Sequence, residues 1–106
     1  MTFGIDVVSK SPPGGRCALY AGYAEVLAAH LHAAVRIRWS SRPDAHGDGY
    51  PSLLIDGVAL APTDGVLLMP DDICAALRAR GCGDDALAGL AGALEAPLER
   101  MMDAAG

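Results

Sequence analysis

The sequence predicts one α/β domain in which helices cover a mixed four-stranded sheet. Two segments alternate apolar and polar residues, as strands do, and a stretch with helical spacing separates them. An Asp56-Gly57 pair between two short apolar runs is a strong signal for a hairpin. A chain of 106 residues, 52% of them apolar, can bury one modest core and is not typical of a disordered protein.

The N-terminal part is predicted to form a strand–helix–strand unit. Alternation over residues 3–8 predicts the first strand, and a loop rich in proline and glycine follows it. Apolar residues then recur at helical spacing and predict a helix over about 17–33. A second strand is predicted at 35–39, with Arg36 and Arg38 on its wet face. Parallel pairing of these strands makes the unit a right-handed crossover.

The hairpin and one further helix complete the predicted core. We expect strands at 52–55 and 58–61, joined by the Asp-Gly turn, after a polar loop at 40–50. Pro70 and two acidic residues after it suit the first turn of a helix, and Gly81 ends that helix. Neither a repeat nor a linker is visible, so residues 1–106 are interpreted as one domain with its core at 3–81.

A last helix is predicted over 84–104, and Pro97 is expected to kink it or make it restart. Its apolar residues recur three or four positions apart: Leu87, Leu90, Leu94, Leu98 and Met101. This stripe either faces the core of the same chain or forms a homodimer contact, and both interpretations remain open.

Charge and cysteine content limit the functional class. Residues 1–42 carry five basic and two acidic residues, a balance of +3, whereas residues 43–106 carry three and eleven, a balance of −8. The resulting net charge of −5 argues against a general nucleic-acid binder. We find no apolar run for a membrane span and no secretory signal, and three cysteines are an odd number for a disulfide scaffold. The expected location is the cytoplasm.

Two segments stand out by their order along the chain. The first is a strand, a loop and a cysteine at the expected helix start, Pro12-Pro13-Gly14-Gly15-Arg16-Cys17. The second joins a proline, an apolar run and an Asp-Gly turn, Tyr50-Pro51-Ser52-Leu53-Leu54-Ile55-Asp56-Gly57, and a helix follows it. This order resembles the thioredoxin-like superfamily, in which glutaredoxins and thioredoxins carry a similar proline and hairpin.

The resemblance implies a thioredoxin-like βαβ-ββα core with an added C-terminal helix. It also implies that the Tyr50–Pro51 peptide is cis and that Pro51 lies against Cys17. The Cys-x-x-Cys motif of the superfamily is absent, because Cys17 is the one cysteine in that segment. Segment 40–50 is too short for the helix of thioredoxins, so the layout is closer to the selenoprotein W-like branch, whose redox pair is also missing.

Cys17 is the candidate catalytic residue, with Pro51 beside it. The start of a helix and the neighbouring Arg16 both stabilise a thiolate, which is the reactive form of cysteine. Gly14 and Gly15 before the helix form a candidate backbone nest for an anion, and Tyr50 completes the candidate binding set. The other interpretation is that Cys17 is a small core residue and the glycines are a plain loop.

Two functions follow from these alternatives. Because the reaction typical of this fold uses two thiols, the missing cysteine favours a non-catalytic binding or assembly module, with an interface at helix 84–104 or at the sheet face that holds Arg36 and Arg38. The alternative is a monothiol redox protein in which the Cys17 thiolate attacks a disulfide and an external thiol resolves the product. The expected partner is accordingly an unidentified protein or a small thiol.

No cofactor or metal site is expected. The segment around His46 resembles the first half of a calcium loop, but Ile55 stands where that loop needs a glutamate. His30 and His32 point to different faces of their helix. Delivery of a metal or metalloid by cysteines is a third and weaker interpretation, because it requires Cys17, Cys74 and Cys82 to converge and the predicted order of the elements does not favour that. We find no serine–histidine–acid or paired-carboxylate pattern that would indicate a hydrolase. The missing second cysteine shifts the balance slightly against an enzyme.

Overall fold

The chain folds into a strand–helix–strand unit, a hairpin and two further helices, in the predicted order. The computed structural model describes residues 4–11, 15–43, 46–47, 49–65 and 67–105. Its elements are β1 Gly4–Ser9, α1 Gly15–Leu31, β2 Ala34–Trp39, β3 Ser52–Ile55, β4 Val58–Ala59, α2 Pro70–Ala79 and α3 Asp84–Ala105. Among the helices of these ranges, none has the length and apolarity that a membrane span requires.

The four strands form one mixed sheet in the order β2-β1-β3-β4. β1 pairs in parallel with β2, and β3 is antiparallel to both β1 and β4. The predicted α/β fold, with a mixed four-stranded sheet in a βαβ-ββα order and an added C-terminal helix, is therefore confirmed. β2 lies at one edge of the sheet and β4 at the other.

One face of the sheet supplies the core. Side chains on a strand alternate between faces, and Ile5 and Val7 of β1 join the hydrophobic core together with Leu53 and Ile55 of β3. All three helices contribute to the same core, with α3 packed against both α1 and α2. The helices thus lie over the Val7 face, whereas Asp6 belongs to the opposite face.

Two buried tyrosines hold the link before α2 against α1. The Tyr20 hydroxyl accepts a hydrogen bond from the Leu68 N–H at 3.1 Å, and the Tyr23 hydroxyl donates to the Leu68 carbonyl at 2.9 Å. Both tyrosine side chains are fully buried. Because these bonds satisfy both the N–H and the C=O of the buried residue Leu68, the link carries no unpaired backbone group at that position.

The hairpin has the turn that its Asp-Gly pair predicts. Asp56 and Gly57 have φ angles of 51° and 84°, both in the left-handed region that a two-residue hairpin turn needs. The Asp56 carboxylate also accepts a hydrogen bond from the Gly4 N–H at 2.8 Å. β4 is shorter than the predicted 58–61 and ends at Ala59, since Pro62 has no N–H with which to extend the ladder.

Helix α3 runs through Pro97 without a break, so the predicted restart there is wrong. Pro97 is buried at the point where α3 meets Gly22 of α1. The leucines of the α3 stripe are buried within the same chain: Leu87, Leu90, Leu94 and Leu98. The apolar stripe of helix 84–104 therefore packs into the core of the same chain. Among the described residues of this helix, Met102 is the only large apolar residue that is exposed.

Candidate functional site

The candidate site lies where the carboxyl ends of β1 and β2 meet the first turn of α1. The two strands are parallel and end opposite each other, at Ser9 and Trp39. In open α/β sheets, ligands bind in the crevice outside the carboxyl ends of the strands. The Tyr50–Pro51 peptide, which is cis, enters β3 at the same end of the sheet.

A small cleft of about 160 Å³ joins the residues that the sequence singled out. Its lining comes from Lys10 after β1, from the first turn of α1 and from the segment entering β3: Lys10, Gly15, Arg16, Cys17, Tyr50 and Pro51. Five of the six predicted site residues thus line one cleft, and the sixth, Gly14, lies outside the described residues. The cleft shows that these residues lie together, and the chemical role of each one stays a prediction.

Cys17 is less accessible than a nucleophile at a helix start would be. Helix α1 begins at Gly15, so Cys17 is its third residue, and its exposed fraction is 3%. It also borders a second groove. A disulfide substrate must enter one of these two clefts to reach the sulfur of Cys17. Thiol chemistry at Cys17 therefore requires first that the substrate can reach the sulfur.

The second groove, of about 300 Å³, lies between the sheet and α1. Val7, Ile37 and Trp39 of the sheet line it, and Cys17, Ala18 and Ala21 of α1 face them. We call it the β2 groove. Small helix residues opposite large strand residues leave room there for an apolar side chain of another molecule.

The exposure of the apolar face of β2 is the feature of the site that the sequence did not reveal. All six of its residues are exposed, including Val35 at 38%, Ile37 at 46% and Trp39 at 60%. Its alternation predicted one wet face and, by implication, one buried face. The structure leaves both faces exposed: β2 is an edge strand, and its Ile37 and Trp39 border the β2 groove.

A third cleft carries polar and aromatic groups. It has about 460 Å³ and is lined by Lys10, Ser11, Trp39, Ser40, Ser41 and Tyr50. The Lys10 ammonium lies 6.0 Å from the centre of the Tyr50 ring, within the range of a cation–π contact. Trp39 is shared with the β2 groove and Tyr50 with the small cleft, so the three depressions adjoin one another.

His46 has a structural role that its local sequence does not signal. Its Nε2 lies 2.7 Å from the Tyr20 hydroxyl, whose other partner is the Leu68 N–H. The hydroxyl and the ring nitrogen therefore share a hydrogen bond that ties residue 46 to α1. Burial lowers the pKa of His46 below its usual 6.5, and the nearby Arg16 lowers it further.

Stability is expected to fall as the pH drops through the His46 titration. The folded chain favours the neutral ring, so the unfolded chain binds a proton first, and the loss begins near pH 6.5 and continues down to the lower folded pKa. His46 has a φ of 60°, which asparagine tolerates, so His46→Asn is the matched variant. Between pH 5 and 8, the urea concentration at the unfolding midpoint should change less with pH in His46→Asn than in the wild type. An equal pH dependence in both proteins would contradict this role of His46.

The remaining cysteines and histidines do not assemble into a metal site within the described ranges. No group of three or more His, Cys, Asp or Glu side chains gathers there. Cys74 is buried in the core, Cys82 is half-buried against it, and His30 is exposed on α1. Asp44 and Asp48, which flank His46 in the candidate calcium loop, fall outside the described residues.

Comparisons with known proteins found no match, so the function is inferred from the geometry of the site. The chain matches no protein-family model, no curated protein and no solved structure.

Proposed function

We propose that the protein is a non-catalytic binding module and that the outer edge of β2, with the β2 groove beside it, binds a segment of a partner protein. The observation that carries the proposal is the exposure of Val35, Ile37 and Trp39 together on an edge strand. Isolated exposed apolar residues are normal on protein surfaces, but a contiguous row beside a groove is typical of an interaction site.

An edge strand offers backbone groups as well as apolar side chains. The outer N–H and C=O groups of β2 face no strand of the described sheet. Such an edge is a template on which an extended segment of another chain can pair, with side-chain pockets supplying selectivity. The long, open β2 therefore suits strand addition better than β4, which has two residues.

The cysteines support binding more than catalysis. Cys17 is 3% exposed, and the described segment around it holds no second thiol that could resolve a mixed disulfide. Cys17, Cys74 and Cys82 are all free thiols, a state that persists in a reducing compartment, and we place the protein in the cytoplasm on that ground. The relationship to the thioredoxin-like superfamily is part of the same proposal, supported by the layout of the elements.

Selection from a displayed library of random twelve-residue peptides tests the proposal without a known partner. Peptides selected on the wild type should lose about ten-fold or more in affinity for Ile37→Ser, because binding uses the groove beside Ile37. Val58→Ser is the matched control, since Val58 is an equally apolar, 56% exposed residue on the opposite edge strand.

The proposal predicts that Val58→Ser binds like the wild type. Failure to select any peptide, or selected peptides whose affinity does not change in Ile37→Ser, would overturn it. Circular dichroism of each variant shows whether a lost affinity reflects a lost fold.

The second candidate function is monothiol redox chemistry, and the small cleft shared by Cys17, Tyr50 and Pro51 is the observation in its favour. The Cys17 thiolate would attack a disulfide, forming a mixed disulfide and releasing one thiolate. An external thiol would then attack that bond and restore Cys17. Mass spectrometry after treatment with glutathione disulfide separates the two functions: the binding module predicts slower modification of Cys17 than of half-buried Cys82, and redox chemistry predicts the reverse order.

A further inference from the structure

We infer that the segment bound by β2 alternates apolar and acidic residues and joins the sheet as a fifth strand. This inference rests on the proposed function and names the chemistry of the partner. It follows from the difference between the two faces of β2, from the charge that one face carries, and from the poor fit of a second copy of this chain.

The two faces of β2 select different side chains. Val35, Ile37 and Trp39 lie on the face of the β2 groove, because their register partners on β1 include Val7 in the core. Arg36 and Arg38 lie on the opposite face, beside Asp6. Since a strand added beside β2 also alternates its side chains, every second residue of the partner meets the groove face and the others meet the arginines.

The arginine face carries more positive charge than its own acid offsets. Arg36 lies 3.2 Å and Arg38 4.0 Å from Asp6, so two guanidinium groups share that one carboxylate. Their side chains remain 71% and 49% exposed. Opposite charges on adjacent strands stabilise a sheet and like charges destabilise it, so acidic residues are the complement of this face.

A second copy of the chain is a poorer occupant. A two-fold axis that pairs β2 with itself in antiparallel fashion keeps the groove faces of both copies on the same side of the sheet. The register centred on Ile37 sets Arg36 beside Arg38 of the other copy, and a register centred on either arginine sets that arginine beside itself. These registers give the arginines no acid, whereas an acidic segment of another protein does.

The groove limits the size of the apolar residues. Its volume of about 300 Å³ lies directly beside Ile37 and Trp39, and Arg100 and Glu25 are its charged lining residues. This space admits a leucine- or phenylalanine-sized side chain, which gains the most from leaving water. We therefore expect one large apolar residue of the partner to dominate the affinity.

Three synthetic eight-residue peptides test the inference. The first alternates glutamate with leucine and valine, the second has lysine in place of each glutamate, and the third has the composition of the first with its glutamates and apolar residues in separate blocks. Fluorescence anisotropy should show the first peptide binding at least about ten-fold more tightly than the other two. Amide hydrogen exchange in β2 should slow when it binds, as expected for a new strand.

Charge reversal is the decisive arm. The double variant Arg36→Glu/Arg38→Glu should bind the lysine peptide more tightly than the glutamate peptide, and Ile37→Ser should bind both weakly. An unchanged preference for glutamate in the charge-reversed protein would overturn the inference. So would wild-type dimers in sedimentation experiments that Ile37→Ser abolishes, because the occupant would then be a second copy.

These outcomes separate the inference from the proposed function. Library peptides that depend on Ile37 but are neither acidic nor alternating leave the binding module intact and overturn only the partner chemistry. If the glutamate peptide binds Ile37→Ser as tightly as the wild type, it binds away from the β2 groove. That result would contradict both the proposed binding module and the inferred partner chemistry.

Discussion

Replacing Leu90 with alanine is expected to lower the free energy of unfolding by about 2–5 kcal/mol. Leu90 is completely buried on α3, in a core that also receives side chains from α1 and α2. The truncation removes apolar contacts and leaves a cavity that the surrounding helices fill only in part. For a domain of this size the loss is a large fraction of the whole stability, which is typically about 5–15 kcal/mol.

Urea denaturation followed by circular dichroism measures this loss, with Met102→Ala as the control. Met102 lies on the same helix but is 59% exposed, so its truncation should change the free energy of unfolding by less than about 0.5 kcal/mol. The comparison also decides the role of α3. If Leu90→Ala cost little stability but abolished self-association, the leucine stripe would be a dimer contact and not part of the core.

Periodicity predicted most of the fold because it reports local geometry. Alternation located β1 and β2, the apolar run before the Asp-Gly pair located β3, and the three-to-four spacing of the α3 leucines located a helix that the structure packs into the core. The turn at Asp56-Gly57 was equally readable, since few residues tolerate two left-handed φ angles in succession. Each of these signals lies within a few residues of the structure that it predicts.

Features that depend on contacts between distant segments could not be predicted from local sequence patterns. The alternation of β2 shows that it has an apolar face, but only the strand order shows that β2 is an edge and that this face stays open. The hydrogen bond between His46 and Tyr20 joins residues 26 positions apart and has no local pattern. Pro97 was expected to kink its helix or make it restart, and α3 continues through it, with Pro97 packed against Gly22 of α1.

The candidate site was predicted in part from the resemblance and in part from charge. Cys17, Tyr50 and Pro51 were chosen as a group, and they line one cleft. The depth of Cys17 was not predicted, because burial at a helix start depends on where the helix begins and on what β2 leaves open beside it. Cys17 is almost fully buried whereas Ile37 and Trp39 of β2 are exposed, so the edge strand is more accessible to a partner than the thiol.

Replacing Gly22 with alanine is expected to lower the free energy of unfolding by about 1–3 kcal/mol, although alanine favours helices. A Cβ atom at Gly22 would lie 2.8 Å from Cβ and 3.3 Å from Cγ of Pro97, and the proline ring cannot rotate away. The added methyl group must push α1 and α3 apart, which opens the core between them.

Gly92→Ala is the matched control, because it makes the same change at an exposed helix position with nothing within 4 Å of the new Cβ. That variant should gain about 0.5–1 kcal/mol, so the two substitutions differ in sign. The double variant Gly22→Ala/Pro97→Ala then identifies the cause. Without the ring the new methyl group has room, so the double variant should be more stable than the sum of the single effects implies. Additive effects would show that contact with Pro97 is not what requires glycine at position 22.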